Sequence, residues 1–365
     1  MSFRAPTLGE IIAANQGDLE SRIPGADAWL PVSAMQGIAF AKSGADDDFY
    51  AYLVNRSKQL FPRSATYNLV SLAAQKGIFQ KGVQATVLTL SLTGTNGTVD
   101  AGTVLQRRDG VQYTTRADAT LVGGAATVSV VSIVPSAASN CTTGTQLAFV
   151  SPVPGIASTV AVAGTVQSGA DQETLDALRG RLTKRWQQPP QGGAYSDYVG
   201  WAEAVPGVTR AWAFPLWMGA GTIGVTFVMD SNPVSIIPGD GDLANVAAAI
   251  GVWGTNIGPR PVTARPYVFA PVATPLDPAI RLNPNNATLQ ALVTQSLADV
   301  IAREAQPGGS LVLGNVYPYF FWSHLEEAIG GTAGLTDFTL SSPAANVALS
   351  GAQLLTLGTP VYSGP

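Results

Sequence analysis

Few residues in this chain are equipped for chemistry, and each is better placed for structural work. Asp240 and Asp242, in Pro238-Gly239-Asp240-Gly241-Asp242, are the tidiest carboxylate pair, and glycoside hydrolysis can run on two carboxylates at a suitable separation. Their position ahead of a helical pattern reads more simply as a turn and helix start. The one histidine, His324, lies in Phe320-Phe321-Trp322-Ser323-His324-Leu325-Glu326-Glu327. It has carboxylates beside it, but no G-x-S-x-G nucleophile motif and no H-E-x-x-H zinc pattern accompanies it. Gly219-Ala220-Gly221-Thr222-Ile223-Gly224 fits the dinucleotide fingerprint by spacing. The β-branched run that follows continues as a strand, whereas phosphate binding needs the glycines to open a helix, so a glycine-rich hairpin is expected. Asp46-Asp47-Asp48 lacks the spaced ligands and glycine of a calcium loop and reads as a solvated helix start. No catalytic residue, cofactor site or metal site is expected.

The overall composition agrees with an assembly part. Charged residues make up 12% of the 365 residues, the net charge is −4, and Gly (39) and Pro (25) are abundant. No basic cluster exceeds Arg107-Arg108, which argues against nucleic acid as a partner. A single cysteine, Cys141, leaves no intrachain disulfide framework and fits folding in a reducing cytoplasm. The most apolar window, Leu121 to Ala138, is too interrupted by Gly, Ser, Thr and Pro to span a membrane, and the N-terminus has no secretory h-region. A soluble protein with no membrane partner follows.

The periodicity divides the chain into four segments. Residues 1–80 read as helical, with Leu8, Ile11, Ile12, Leu19 and Ile23 at near-helical spacing and a second stretch through Phe49, Tyr50, Leu53 and Val54. Residues 81–168 are dominated by Ala, Gly, Ser, Thr and Val and alternate as Leu88-Leu90-Leu92 against Thr89 and Ser91, which predicts a small antiparallel β-sandwich or barrel. Thr95-Asn96-Gly97-Thr98 predicts a tight hairpin, and the low charge of the strands predicts edges open to pairing with neighbours.

Residues 169–207 read as a helical joint. Leu175, Leu178, Leu182 and Trp186 mark one face of its first helix, with Asp171, Glu173 and Asp176 early and Arg179, Arg181, Lys184 and Arg185 late, an order that suits the helix dipole. Ser168 or Asp171 is the expected N-cap, and Leu178→Asp is expected to loosen the joint. Pro189-Pro190 and Gly192-Gly193 then turn the chain into a short helix carrying Asp197, Tyr198 and Trp201. Residues 208–365 alternate strand and helix, which predicts α+β units with antiparallel or mixed sheets. The whole is expected to be a multidomain α+β protein.

The run Gly169, Asp171, Glu173, Leu178, Arg179, Arg181, then Pro190, Gly192-Gly193, Asp197-Tyr198, Trp201-Ala202 and Gly207-Val208 resembles the signature of the baseplate J-like family, wedge proteins of contractile phage tails in the Mu-like and P2-like group. The likeness extends back through Gly94 to Leu105 and Asp109 to Thr114, and forward through Gly219-Ala220-Gly221 and Arg260 to Ala264, covering nearly the whole chain in the family's order. It departs where Gln172 replaces a common Pro and Gly193 a common Thr, in a helix start and a turn that are expected to tolerate exchange. The resemblance implies a structural, non-enzymatic wedge component, similar to the larger wedge protein of T-even phages. Its helices would bundle with a second copy and another wedge subunit, and its α+β region would form a ring around the tail hub. Ring widening would relay the host-binding signal to sheath-proximal proteins. It implies residence in the virion tail baseplate after assembly in the host cytoplasm. A β-rich receptor-binding fibre protein and, more remotely, a carboxylate-based cell-wall hydrolase are the alternatives.

Overall fold

The computed structural model describes residues 4–364, which separate into two compact units. The first comprises the N-terminal residues through Gln80 together with Thr174–Pro189. Its helices are α1 (Leu8–Arg22), α2 (Ala34–Lys58), α3 (Leu69–Gln75) and α4 (Leu175–Gln187). Thr7 and Glu10 close a capping box on α1: the Glu10 carboxylate accepts from the Thr7 N–H at 2.7 Å, and the Thr7 hydroxyl accepts from the Glu10 N–H at 3.3 Å. Polar groups register α1 on α2, because Asn15 Nδ2 donates to Ser43 Oγ (2.9 Å) and to Asp46 (3.0 Å) while Lys42 Nζ donates to Asn15 Oδ1 (2.7 Å). Asp46-Asp47-Asp48 therefore falls inside an unbroken 25-residue helix, not at a helix start. The aspartates are accommodated by an i,i+4 ion pair with Lys42 and by Asn15 across the pair.

Helix α4 packs on α3 through a small apolar cluster of Ala65, Leu69, Ala73, Ile78, Leu178 and Leu182. Its N-cap is Thr174, whose hydroxyl accepts from the Ala177 N–H at 3.2 Å, so neither Ser168 nor Asp171 serves. Only Asp176 lies in its first turn and Lys184 and Arg185 in its last. Asp171 and Glu173 precede the helix, and their carboxylates are engaged elsewhere. Leu175 and Trp186 are exposed, which narrows the predicted apolar face to Leu178 and Leu182. Residues 169–207 thus do not form one piece: their middle third belongs to the helical unit and their two ends to the second.

The second unit begins with β1 (Val87–Thr93), β2 (Gly97–Val99), β3 (Val104–Arg107), β4 (Gln112–Thr115), β5 (Ala119–Leu121), β6 (Ala125–Ser132), β7 (Gln146–Phe149) and β8 (Thr159–Gln167). Six of these close a barrel in the order β1-β6-β4-β3-β7-β8, every pair antiparallel, with β2 and β5 forming a separate ribbon. Leu88, Leu90 and Leu92 point inward with Leu105, Tyr113, Val130, Leu147 and Val162, as the alternation requires. Closure overturns two expectations. The barrel ladder has no open edge, since β8 pairs back onto β1. Asn96-Gly97 does not make a tight hairpin either: the segment turns against the 154–156 loop, with the Thr95 N–H donating to Gly155 O at 2.9 Å, and β2 pairs with β5. Gly97 is needed for close approach, because a Cβ there would sit 2.5 Å from the Pro154 carbonyl oxygen.

A central layer follows, with α5 (Tyr195–Glu203), β9 (Arg210–Pro215), β10 (Thr222–Val228), α6 (Asp240–Ile250) and β11 (Arg265–Val268). Strand β10 lies between antiparallel β9 and parallel β11, and Tyr198, Val199, Ala202, Val225, Phe227, Val246 and Ile250 fill the core beneath. The chain then adds β12 (Val272–Leu276), β13 (Ala279–Asn283), α7 (Ala287–Glu304), β14 (Ala305–Gln306), β15 (Gly309–Val312), β16 (Asn315–Tyr317), β17 (Tyr319–Phe320), α8 (Trp322–Gly330), β18 (Asp337–Ser342), β19 (Val347–Ala348), β20 (Gln353–Leu357) and β21 (Val361–Ser363). Helix α7 buries Val293, Leu297, Val300 and Ile301 against Ile280, Leu282, Leu325, Ile329 and Leu354. Leu311 to Val316 forms a hairpin, because Leu313 and Gly314 both take positive φ and reverse the chain. Mixed small sheets and helices make this an α+β fold, as expected.

Candidate functional site

The chemical candidates resolve into structural contacts. Asp242 is buried at the start of α6, where its carboxylate accepts from the Gly239 N–H (3.1 Å), the Ser168 N–H (3.1 Å) and Gln84 Nε2 (3.2 Å). It fastens the exit of the barrel to α6. Burial raises its pKa, and the hydrogen bonds from Gly239, Ser168 and Gln84 pull the other way. Asp240 lies in the same first turn, but nothing brings the two carboxylates together across a cleft.

His324 does have an acidic partner, although not one of its sequence neighbours. Its Nδ1 lies 2.6 Å from Oε2 of buried Glu304, whose other oxygen accepts from Arg303 Nη2 at 2.8 Å, and Phe321 stacks on the ring. This His–Glu pair holds the imidazole in place at the end of α7. Sequence spacing gave no signal for this contact, because 20 residues separate the partners. Gly219 and Gly221 take positive φ in the turn between β9 and β10, and Gly224 lies inside the strand, so these glycines bind no helix N-terminus. Among the described residues, no group of three or more His, Cys, Asp or Glu side chains is arranged to hold a metal ion.

The signature residues form three separate devices. The first straps the barrel exit. A Cβ on Gly169 would meet Ser136 O and Thr86 Oγ1 at 2.3 Å, and this closeness lets Asn140 bond both its N–H (2.7 Å) and its carbonyl (3.0 Å). Asp171 then accepts from the Ala137 N–H at 3.0 Å, and buried Glu173 accepts from the Lys81 N–H at 3.0 Å. Lys81 Nζ donates in turn to the carbonyls of Glu203 (3.1 Å) and Val208 (2.7 Å), beside the turn at Gly207, whose φ is 81°.

The second device lies within the helical unit. Arg179 donates to the carbonyls of Pro62 (3.1 Å) and Ala65 (2.9 Å) and pairs with Asp176, and Arg181 donates to Phe79 O at 2.7 Å. Both cations thus finish loop carbonyls around buried Leu178.

The third device is the loop after α4. Pro190 to Gly193 folds over Asp197, whose carboxylate accepts from the N–H groups of Gln191 (3.0 Å), Gly193 (2.7 Å) and Ala194 (3.2 Å). Tyr198 is buried edge-on to Trp201, with centroids 4.8 Å apart. Gly192 and Gly193 have positive φ, and a Cβ on Gly193 would sit 2.3 Å from Pro261 Cγ. That position does not accept exchange freely here, contrary to the sequence expectation. Next to it, Arg260 is buried without a carboxylate and spreads its guanidinium over the carbonyls of Gly251, Val252, Thr255, Pro261, Val262 and Ala264. Sequence reasoning included Arg260 only within a motif and missed this role, because its acceptors are all backbone.

Comparison with known proteins gives these devices a common frame. Three family models match in chain order: the baseplate J-like protein barrel domain over residues 88–169, the baseplate J-like central domain over 190–270, and the baseplate J-like protein C-terminal domain over 276–362. The chain is 34% identical over 370 aligned residues to the baseplate protein gp47 of Escherichia phage Mu, covering 98% of this chain and 99% of that protein. The chain belongs to the baseplate J-like family. A second relative, the Mu-like prophage FluMu protein gp47 of Haemophilus influenzae, is 32% identical with 98% and 99% coverage. A chain of the anti-feeding prophage baseplate is a more distant likeness, with a TM-score of 0.37, 13% identity and coverage of 95% and 90%.

This baseplate J-like protein is thus a structural protein of a phage-type tail baseplate, and its partners are other baseplate proteins. The matched domains bracket α4 and leave the helical unit outside all three. That unit exposes many large apolar side chains. On α2 alone, Ile38, Phe40, Phe49, Tyr52 and Leu53 face solvent, and the residues it buries are Ala39 and Ser43. A soluble monomer has little reason to leave so many large apolar side chains uncovered on one helix.

Proposed function

We propose that this chain is a wedge component of a contractile tail baseplate, forming a ring around the tail hub and relaying the host-binding signal toward sheath contraction. The observation that carries the reading is the full-length match to the Mu baseplate protein, which includes the helical unit as well as the three matched domains. The surfaces are consistent with it. The exposed apolar helices are suited to a bundle with a second copy and another wedge subunit, and the α+β part to contacts around a ring. The tail hub or tube and sheath-proximal proteins are its further partners, with assembly in the host cytoplasm before residence in the virion.

On this reading the protein has no catalytic task. The His324–Glu304 pair and Asp242 act as internal ties, and the signature residues from Gly169 to Gly221 hold the domains in shape for assembly. Co-expression with the tail proteins encoded beside it, followed by imaging of the assembled tail end, is the decisive experiment. The chain is expected in a ring at the tail tip. A chain that joins no tail particle and binds none of those proteins refutes the proposal.

A further inference from the structure

Two loops at one end of the central layer carry their apolar side chains outward. The 251–264 segment between α6 and β11 is pinched shut at its neck, where Gly251 takes a φ of 111° and a Cβ on it would sit 2.3 Å from Ile257 O. Arg260 fills the inside of this loop and gathers its carbonyls, with the guanidinium 5.5 Å from the centroid of the half-exposed Trp253 ring. A cation occupies the place of a small apolar core, and Val252, Ile257 (72% exposed) and Val262 (77% exposed) are left outside. The β9–β10 turn lies alongside, since the Arg265 N–H donates to Gly221 O at 2.8 Å and a Cβ on Gly221 would be 3.6 Å from Thr263 O. It adds Leu216 and Met218, each 67% exposed. Leu216 has a φ of 59°, which strains a leucine and not a glycine. Its N–H donates to Thr222 O at 2.9 Å and its carbonyl accepts from the Gly219 N–H at 3.1 Å, so the turn holds the side chain outward. A strained, exposed leucine contributes little to its own fold, and backbone outliers of this kind gather where a surface has a task.

We propose that these two loops are a docking face for a different tail protein, one that presents an apolar surface with a carboxylate at its edge. Charge decides the occupant. Across residues 216–221 and 251–264 the one charged side chain is Arg260, which is buried, so the face loses its water at little cost and offers nothing to a charge at the partner's centre. Exposed Arg265 stands at the margin, bonded to Gly221, and a carboxylate there complements it. A second copy of the same face supplies no carboxylate. A lipid surface is held by several cations beside an apolar wedge, and one arginine is too few. The loops are braced before any partner arrives, by the Arg260 cage and by the turn's own hydrogen bonds, so association orders little new chain. The inference rests on the baseplate reading only in taking the partner to be a tail protein; the face and its chemistry come from the residues.

The test uses the full chain, co-expressed in turn with each of the tail proteins encoded beside it, and measures the dissociation constant of any complex that co-purifies. Leu216→Gly is expected to weaken that complex about tenfold while melting at or above the parent temperature, because glycine takes the same φ without strain. Ile257→Ser combined with Val262→Ser is expected to weaken it at least as much, and Arg265→Glu about threefold, with Arg265→Lys close to the parent. Unchanged affinity in the Leu216, Ile257/Val262 and Arg265→Glu variants overturns the proposal and leaves the baseplate reading standing. So does a parent chain whose self-association is abolished by Ile257→Ser with Val262→Ser, which makes the occupant a second copy. Sedimentation of the parent with phosphatidylglycerol vesicles, lost in the same double variant, makes it a lipid and overturns the proposal likewise. A parent chain that binds none of the tail proteins overturns it, and one that also enters no tail overturns both readings.

Discussion

The barrel and the helical unit spend their apolar residues in opposite ways. In the barrel, Leu88, Leu90, Leu92, Leu105 and Leu147 are all at 0–1% exposure, the strand ladder closes on itself, and the exit strap is bonded at Gly169, Asp171 and Glu173. In the helical unit the main apolar cluster has six buried members, while Phe40, Phe49, Tyr52, Leu60 and Phe61 remain outside. A closed ladder with a filled interior is complete by itself. A helix pair joined by Asn15, Ser43 and Asp46, with its aromatics turned outward, leaves apolar surface uncovered. The same chain therefore holds one part filled by its own side chains and one that keeps large apolar side chains outside.

Matched core deletions sharpen this contrast most strongly. Leu90→Ala in the barrel is expected to cost about 3–4 kcal/mol, near the upper part of the range for buried leucines, because the closed wall cannot collapse into the cavity. Leu178→Ala in the six-member cluster is expected to cost roughly 2–3 kcal/mol, since short helices can shift toward the gap. Denaturant unfolding of each variant, followed by probes in each unit, measures both; equal losses would remove the distinction.

Arg260→Met tests whether the second unit relies on buried polar cages where the helical unit does not. Stranding six carbonyls around a thioether is expected to lose about 3 kcal/mol, as charged hydrogen bonds are replaced by unmet acceptors. A melting temperature within a degree of the parent would show that water replaces the guanidinium without penalty.

Acidification separates the units in sign. Asp46 has its pKa lowered, chiefly by the hydrogen bond from Lys42 and then by that from Asn15, so its contribution is present above the ordinary aspartate value and is lost as pH falls through the lowered one. Asp242 has its pKa raised by burial, so the folded state takes up its proton first and this term becomes more favourable as pH falls through the raised value. Hydrogen exchange between pH 6 and pH 3 is expected to show α1 and α2 opening while the α6 start stays protected. The reverse order would contradict these assignments.

The smallest stability effect is expected at Phe49→Gln. An exposed aromatic contributes little to the isolated fold, so the change should stay within about 0.5 kcal/mol in denaturant unfolding. A large loss of stability would mean that the ring already packs within its own unit.

What could be read from the sequence follows how local each cause is. The barrel strands were legible because Leu88, Leu90 and Leu92 alternate with polar residues, and α7 because its apolar spacing is strong. Asn96-Gly97 misled because the glycine answers to Pro154, far along the chain, and not to a hairpin. Asp46 to Asp48 misled because acids suit a helix start, while Lys42 and Asn15 hold Asp46 mid-helix. The signature residues were visible as types and spacings, but their partners were not: Asn140, Lys81 and the carbonyls around Arg260 are joined to them only by the fold. The His324–Glu304 contact was hidden for the same reason.

The helical unit is discontinuous in the chain, with α4 returning to it after the barrel has been made. Three peptide connections therefore run between the units, after Gln80, after Glu173 and after Pro189. Residues 1–80 hang on the first of them, so a protease that cuts after Gln80 breaks their peptide tie. What holds them after such a nick is non-covalent: the packing of α3 on α4 and the bonds from Arg179 to the Pro62 and Ala65 carbonyls.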